Sequence, residues 1–198
     1  MDATERRTAW MEPGEEAGLI LAAQGGDQAA FGQLVRHYQR AVHRLAYGLT
    51  RNPSDADDLA QETFVRAWQA LRRFRVGEPL YPWLSRITVN LAFSLFRRRK
   101  RRPEDAIEPL LEAGRQFGTE DDPIEHAARN ERDAQLAAAF EELSPDHRVV
   151  LVLRAVEDLS YEEIAQRLGV PPGTVMSRLS RARAELKSRL AARSGEHR

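Results

Sequence analysis

The chain contains no cysteine, which excludes disulfides, thiolate metal sites and cysteine nucleophiles. It also lacks long apolar runs; none approaches the roughly 20 residues that a membrane span needs. The opening MDATERRTAWMEPGEE has two arginines but no apolar core behind them, so it does not read as a secretory signal, and a cytoplasmic protein with no membrane insertion is expected. No phosphate loop or glycine-rich dinucleotide turn is present. The five histidines (37, 43, 126, 147 and 197) are scattered, and the six-residue step from His37 to His43 puts them on different helix faces. The sequence therefore predicts no enzyme: no catalytic residue, no metal and no cofactor.

The 198 residues carry 30 basic and 30 acidic side chains, but the charge is segregated. Residues 1–26 are net −3, 27–102 net +9, 103–133 net −7 and 134–198 net +1. One block suits a polyanion and the next would be repelled by it. Arginine supplies 28 of the basic residues, which suits bidentate contacts to phosphate and base edges.

Helical periodicity runs throughout, and no strand pattern competes with it. Asp27 or the glycines before it open a helix whose apolar stripe is Phe31, Leu34, Val35, Tyr38, Val42, Leu45, Ala46 and Leu49. Pro53 breaks it, and Ser54 or Asp55 is placed to cap the next helix, along Leu59 or Ala60, Phe64, Ala67 or Trp68, and Leu71. A third helix, with Pro82 as its first residue, carries Trp83, Leu84, Ile87, Leu91 and Leu95 and ends in six consecutive cations, Arg97 to Arg102. Residues 103–133 are acidic, interrupted by proline and glycine, and read as a linker; residues 1–23 read as weakly structured. The prediction is an all-α chain of two small helical domains, 24–102 and 134–193, joined by a flexible acidic linker at 103–133.

In the second domain a helix passes through Leu136, Phe140 and Leu143. Ser144-Pro145 then opens a helix along Val149, Val150, Leu153 and Val156. Ser160-Tyr161-Glu162-Glu163 is a capping-box pattern, and its helix ends at Gly169. Pro171 and Pro172 precede a last helix bearing Val175, Leu179, Ala182, Leu186 and Leu190. Small Ala165, the Gly169 turn and Val175 at the angle between helices fit a helix-turn-helix, whose second helix enters the DNA major groove. That helix brings Arg178, Arg181, Arg183, Lys187, Arg189 and Arg193 against one acid, Glu185.

The first domain offers a different surface. Phe74, Tyr81, Trp83 and Phe93 lie among Arg72, Arg73, Arg75 and Arg86, a mixture suited to single-stranded nucleic acid because rings stack on bases while arginines neutralise phosphate. The alternative is that the rings are core; Trp83 and Phe93 lie near the apolar stripe, whereas Phe74 and Tyr81, at the turn, are the better candidates for exposure. Asp58, Gln61, Glu62 and Arg66 form a polar helix face that on spacing alone reads as solvated. Residues alone leave open a one-component helix-turn-helix regulator and a protein-binding helical adaptor.

The segments Asp55-Ala56-Asp57-Asp58-Leu59-Ala60-Gln61-Glu62-Thr63-Phe64-Val65-Arg66-Ala67-Trp68, Trp83-Leu84-Ser85-Arg86-Ile87-Thr88-Val89-Asn90, Leu159-Ser160-Tyr161-Glu162-Glu163-Ile164-Ala165 and Gly173-Thr174-Val175-Met176-Ser177-Arg178-Leu179-Ser180-Arg181-Ala182-Arg183 resemble the extracytoplasmic-function (ECF) sigma factors of the sigma-70 family. The resemblance covers roughly 24–102 and 136–191. It implies that Asp58, Gln61, Glu62 and Arg66 face the clamp helices of core RNA polymerase. It further implies that Arg72, Arg73, Phe74, Arg75, Tyr81, Trp83, Arg86 and Asn90 melt and read the proximal (−10) promoter element, holding a base out of the stack. Arg97, Arg98, Arg99, Lys100, Arg101 and Arg102 would touch upstream duplex. Ser160, Tyr161, Pro172, Thr174, Ser177, Arg178, Arg181 and Arg183 would bind the distal (−35) element in the major groove. The linker would thread toward the RNA path, and an anti-sigma factor is the implied further partner. The family commonly has Lys where Met176 stands and often Asp where Ser94 stands, and the Gly77-Glu78-Pro79-Leu80 turn departs from its usual short connection.

Overall fold

Pro13 at the first helical turn and Glu15 and Glu16 beside unpaired N–H groups start a helix within the segment expected to be weakly structured, α1 (Pro13–Gln24). In this computed structural model, which describes residues 11–101 and 134–195, α1 buries Ile20 and Ala23 against the helices that follow. The segment 1–23 is thus structured from Pro13 onward, a correction to the sequence reading. Its stripe is short because one face of three turns is all that it packs.

Asp27 caps α2 (Gln28–Thr50), its carboxylate accepting from the N–H groups of Ala29 (2.8 Å) and Ala30 (3.1 Å). Arg51 leaves the helix in the left-handed region at φ 53°. The cap of α3 (Pro53–Ala70) is Asn52, whose side chain accepts from Asp55 N–H at 3.0 Å. Neither Ser54 nor Asp55 caps it, because Pro53 already occupies a helical position with no N–H to offer. A single 3₁₀ turn (Leu71–Arg73) and a connection through residues 74–79 lead to α4 (Leu80–Arg101).

Helices α2, α3 and α4 pack on one another, with α1 against α2. Leu34, Leu45, Leu49, Leu71 and Leu84 are almost completely buried there, each contributing about 1.5–3 kcal/mol of apolar burial. The buried face of α4 differs from the expected one: Leu80, Tyr81, Leu84, Ser85, Thr88, Val89, Ala92 and Phe96 face inward, while Trp83, Ile87, Leu91 and Leu95 are half-buried. Small hydroxyl residues enter this core because their polar atoms are satisfied. The Thr63 and Thr88 hydroxyls lie 3.1 Å apart, each also within bonding reach of the carbonyl four residues back, Leu59 or Leu84, so that their two protons are shared among three acceptor positions.

The second unit comprises α5 (134–141), α6 (Pro145–Ala155), α7 (Tyr161–Leu168) and α8 (Pro172–Gly195). Ser144 caps α6 through His147 N–H at 3.3 Å, with Pro145 in the first turn. Ser160 and Glu163 form a reciprocal capping box on α7. Gly169 ends α7 at φ 66°, a conformation that strains any residue with a Cβ. Phe140, Leu143, Val149, Val150, Leu153, Ile164, Val175, Leu179 and Ala182 form the core. All described elements are helical, in two units; the predicted linker at 103–133 lies outside the described residues.

Candidate nucleic-acid and protein interfaces

Helix α3 buries Ala56, Leu59, Ala60, Thr63 and Ala67, so its opposite face is turned to solvent. Asp58, Gln61 and Arg66 are exposed there and Glu62 is half-buried; Arg66 Nε donates to Glu62 at 2.6 Å. The structure adds a residue that polarity hid. Val65 lies among them, 49% exposed, at the seventh position after Asp58 and therefore on the same face. Phe64 and Trp68 are half-buried, Trp68 against Phe31 with ring centroids 4.9 Å apart.

The turn after α3 displays cations. Arg72, Arg73, Arg75, Arg86 and Asn90 are exposed, and among the described residues Arg72, Arg73 and Arg86 form no ion pair. Arg75 has only a loose 3.8 Å contact with Glu78. Phe74 and Trp83 pack together, centroids 4.9 Å apart, half-buried with one side toward the core and the other accessible. Phe93 is also half-buried. Tyr81 departs from expectation: it is 6% exposed and stacks on Tyr38, centroids 6.0 Å apart. Helix α4 starts at Leu80, ahead of Pro82, and this phase turns residue 81 inward; Tyr81 presents no ring to a base in this form.

At the far end of α4, Arg97, Arg98, Lys100 and Arg101 are exposed; Arg97 donates to Ser94 Oγ at 3.1 Å. Arg99 is half-buried and bonded to Asp55 in the first turn of α3, so the helix end is anchored to an acid as well as displaying cations. Arg102 lies outside the described residues.

In the second unit, Val175 is fully buried at the angle between α7 and α8, and Ala165 is 5% exposed, which lets the two helices approach. Ser160 and Pro172 are exposed; Tyr161, Thr174 and Ser177 are half-buried, with Ser177 Oγ donating to Thr174 O at 3.0 Å. Met176, 55% exposed, stands at the leading end of α8. Arg181 and Arg183 are exposed. Arg178 is half-buried and paired with Asp146 of α6 at 2.8 Å, so it is not the open base reader that the sequence suggested. Arg189 bonds Glu142 and Glu185, and Arg193 bonds Glu142. The Arg189 and Arg193 bonds hold the Glu142 carboxyl below its ordinary pKa; Arg189 and then His147, 2.8 Å away, do the same for Glu185. Three of the six cations counted on this helix are engaged within the unit.

Among the described residues no group of three or more His, Asp or Glu is placed to hold a metal ion, and no helix is long and apolar enough to cross a membrane. His43 pairs with Asp57 at 3.0 Å.

Comparison with known proteins decides the family. The family models for sigma-70 region 2 and sigma-70 region 4 match residues 34–102 and 133–186. The ECF RNA polymerase sigma factor SigE of Mycolicibacterium smegmatis is 41% identical over 192 residues, covering 94% of this chain and 73% of that protein. The chain belongs to the ECF sigma factors of the sigma-70 family. The RNA polymerase sigma factor CnrH of Cupriavidus metallidurans is 37% identical, covering 91% of this sigma factor and 97% of CnrH. Two solved structures share the fold: CnrH in complex with the cytosolic domain of CnrY (TM-score 0.63, 33% identity, 90% of this chain and 98% of that one), and the sigma factor RpoE in complex with the anti-sigma factor NepR from Bartonella quintana (TM-score 0.61, 30% identity, 81% and 96%). A sigma factor directs core RNA polymerase to promoters and starts transcription there; it is not itself an enzyme.

Proposed function

We propose that this sigma factor divides its work between its two helical units. Asp58, Gln61, Glu62 and Arg66, with Val65 among them, dock on core polymerase. The 71–79 turn and the exposed edge of α4, with Arg72, Arg73, Phe74, Arg75, Trp83, Arg86 and Asn90, engage the proximal promoter element as it opens; Arg97 to Arg102 follow the upstream duplex. The leading end of α8 enters the major groove of the distal element, with Arg181 and Arg183 foremost and Arg178 joining by exchanging Asp146 for DNA.

The carrying observation is that Arg72, Arg73 and Arg86, exposed beside the Phe74–Trp83 ring pair, form no ion pair among the described residues. Phosphate contacts and stacked bases offset strand opening, about 1.4 kcal/mol per stacked step, and extruding a base adds a few kcal/mol. Two DNA-binding units on one chain make the second contact intramolecular, so recognition requires both elements at their proper spacing. Tyr81 joins the proximal surface only if DNA draws it out of its stack on Tyr38. The protein works in the cytoplasm, where polymerase is. By analogy with RpoE and NepR, an anti-sigma factor covers it when it is idle.

The test is charge reversal at the docking face. Asp58→Lys with Glu62→Lys abolishes association with core polymerase in a pull-down while circular dichroism is unchanged; retained association overturns the docking assignment.

A further inference from the structure

Both ends of the 74–79 turn are tied to α1, a helix outside the stretch that matches the region 2 family model. Gln24 Nε2 donates to the carbonyls of Leu71 (2.9 Å) and Phe74 (2.8 Å), where the 3₁₀ turn closes and the connection begins. Two helical turns earlier on α1, the Glu16 carboxylate accepts from the Tyr38 hydroxyl through one oxygen and from Leu80 N–H at 3.3 Å through the other. Leu80 is the first residue of α4, so Glu16 places negative charge where that helix has unpaired N–H groups.

Glu16 is only 6% exposed. Burying a carboxylate is costly unless it is fully bonded, and a helix that merely covered a groove would do so better with an apolar residue. Burial and the bond to Glu16 raise the Tyr38 pKa well above its ordinary value, so that hydroxyl remains a donor at any working pH. Between the two anchors the chain passes Gly77 at φ 94° and closes on itself through Glu78 N–H to Arg75 O, 3.2 Å. A pocket of about 260 Å³ lies between α1 and the turn, lined by Glu16, Ala17, Tyr38, Gly77, Glu78 and Pro79. The turn is therefore held at its ends and open in its middle.

We infer that α1 is a splint for the promoter-facing turn: Glu16 and Gln24 are positioning residues that fix Leu80 and Phe74 relative to each other, and through them set which bases the turn accepts. This rests on the proposed engagement of that turn with the proximal element. The experiment uses the full chain with core polymerase in run-off transcription, on templates carrying each of the four bases at each position of the proximal element. Variants are Glu16→Gln and Gln24→Met on the splint and Glu78→Ala in the turn itself, with amide hydrogen exchange of residues 75–80 measured on the free proteins. Both splint variants are expected to speed exchange at 75–80 at least tenfold. They should compress or reorder base discrimination at least fivefold at one or more positions, with polymerase affinity held within twofold.

Unchanged exchange overturns the splint. So does a uniform fall in activity on every template, which is what a merely structural role gives, or an unchanged base ranking where Glu78→Ala alters it. If neither splint nor turn variants move the ranking, the turn's part in base choice falls, and the inference about base choice falls with it, while the polymerase-docking assignment stands.

Discussion

Around the 71–79 turn of the first unit, Arg72, Arg73 and Arg86 stand in solvent with no ion pair among the described residues, whereas along α8 of the second unit Arg178, Arg189 and Arg193 are each bonded to a carboxylate from α6, α8 or the end of α5. Both regions look equally cationic as strings of letters. The difference lies in which acids the fold brings within reach, so charge density along a helix overstates a nucleic-acid surface when a neighbouring helix carries acids at the right height. It also separates two uses of arginine. At the turn it is held available for phosphate; on α8 about half of it fastens the helix to its own unit, leaving Arg181, Arg183 and Lys187 outward.

The largest effect is expected from separating the units. Val175→Asp places an unpaired charge in a fully buried site, a loss of about 4 kcal/mol that unfolds the second unit. Circular dichroism should lose the helix of α5 to α8 while the near-ultraviolet signal of Trp68 and Trp83 persists. Simultaneous loss of that signal would mean that the two units fold as one.

A smaller effect sharpens the contrast between stapled and open arginines. Arg181→Ala with Arg183→Ala should weaken binding to the distal element about tenfold or more and flatten its salt dependence. Asp146→Asn, which frees Arg178, should tighten binding by up to about fivefold, because a partly exposed ion pair is worth about 1 kcal/mol at most. Weaker binding by Asp146→Asn in a filter or fluorescence assay would show that Arg178 serves the fold alone.

The smallest effect is a pH dependence confined to the stapled region. The carboxyls of Glu142 and Glu185 titrate below their ordinary value of 4.5 because of their arginine bonds, so the stability they lend is complete above that pH and drains away as the pH falls through their folded values. The amide protection of α5 and α8, referred to the intrinsic exchange rate at each pH, should therefore fall on acidification below pH 4.5 in the wild type and respond less in Arg189→Met. An equal response in the variant removes these bonds from the account.

Much of the fold is legible where one residue satisfies a local backbone demand. Asp27, Ser144 and Ser160 offer side-chain acceptors to helix N–H groups, and Gly169 takes a positive φ, so each marks its boundary unaided. The misses have non-local causes. Asn52 takes the cap from Ser54 and Asp55 because Pro53 fits the first helical position. The inward face of α4 includes Ser85 and Thr88, polar letters whose hydroxyls are satisfied inside the core. Helix α1 is not legible in the sequence because its value lies in bonds made 47 to 64 residues away, from Gln24 to Leu71 and Phe74 and from Glu16 to Leu80. In the interfaces, residue types at the turn and on α3 were readable, whereas the burial of Tyr81, the exposure of Val65 and the Asp146 partner of Arg178 depend on helix phase and packing.

The most direct test reconstitutes the full chain with core RNA polymerase and maps transcript starts on genomic DNA. The account predicts discrete starts that depend on this chain and share two upstream sequence elements at fixed spacing, with Arg72→Ala and Arg86→Ala impairing initiation on duplex templates more than on pre-melted ones. Absence of chain-dependent starts, or equal impairment on both templates, would contradict the division of labour between the two units.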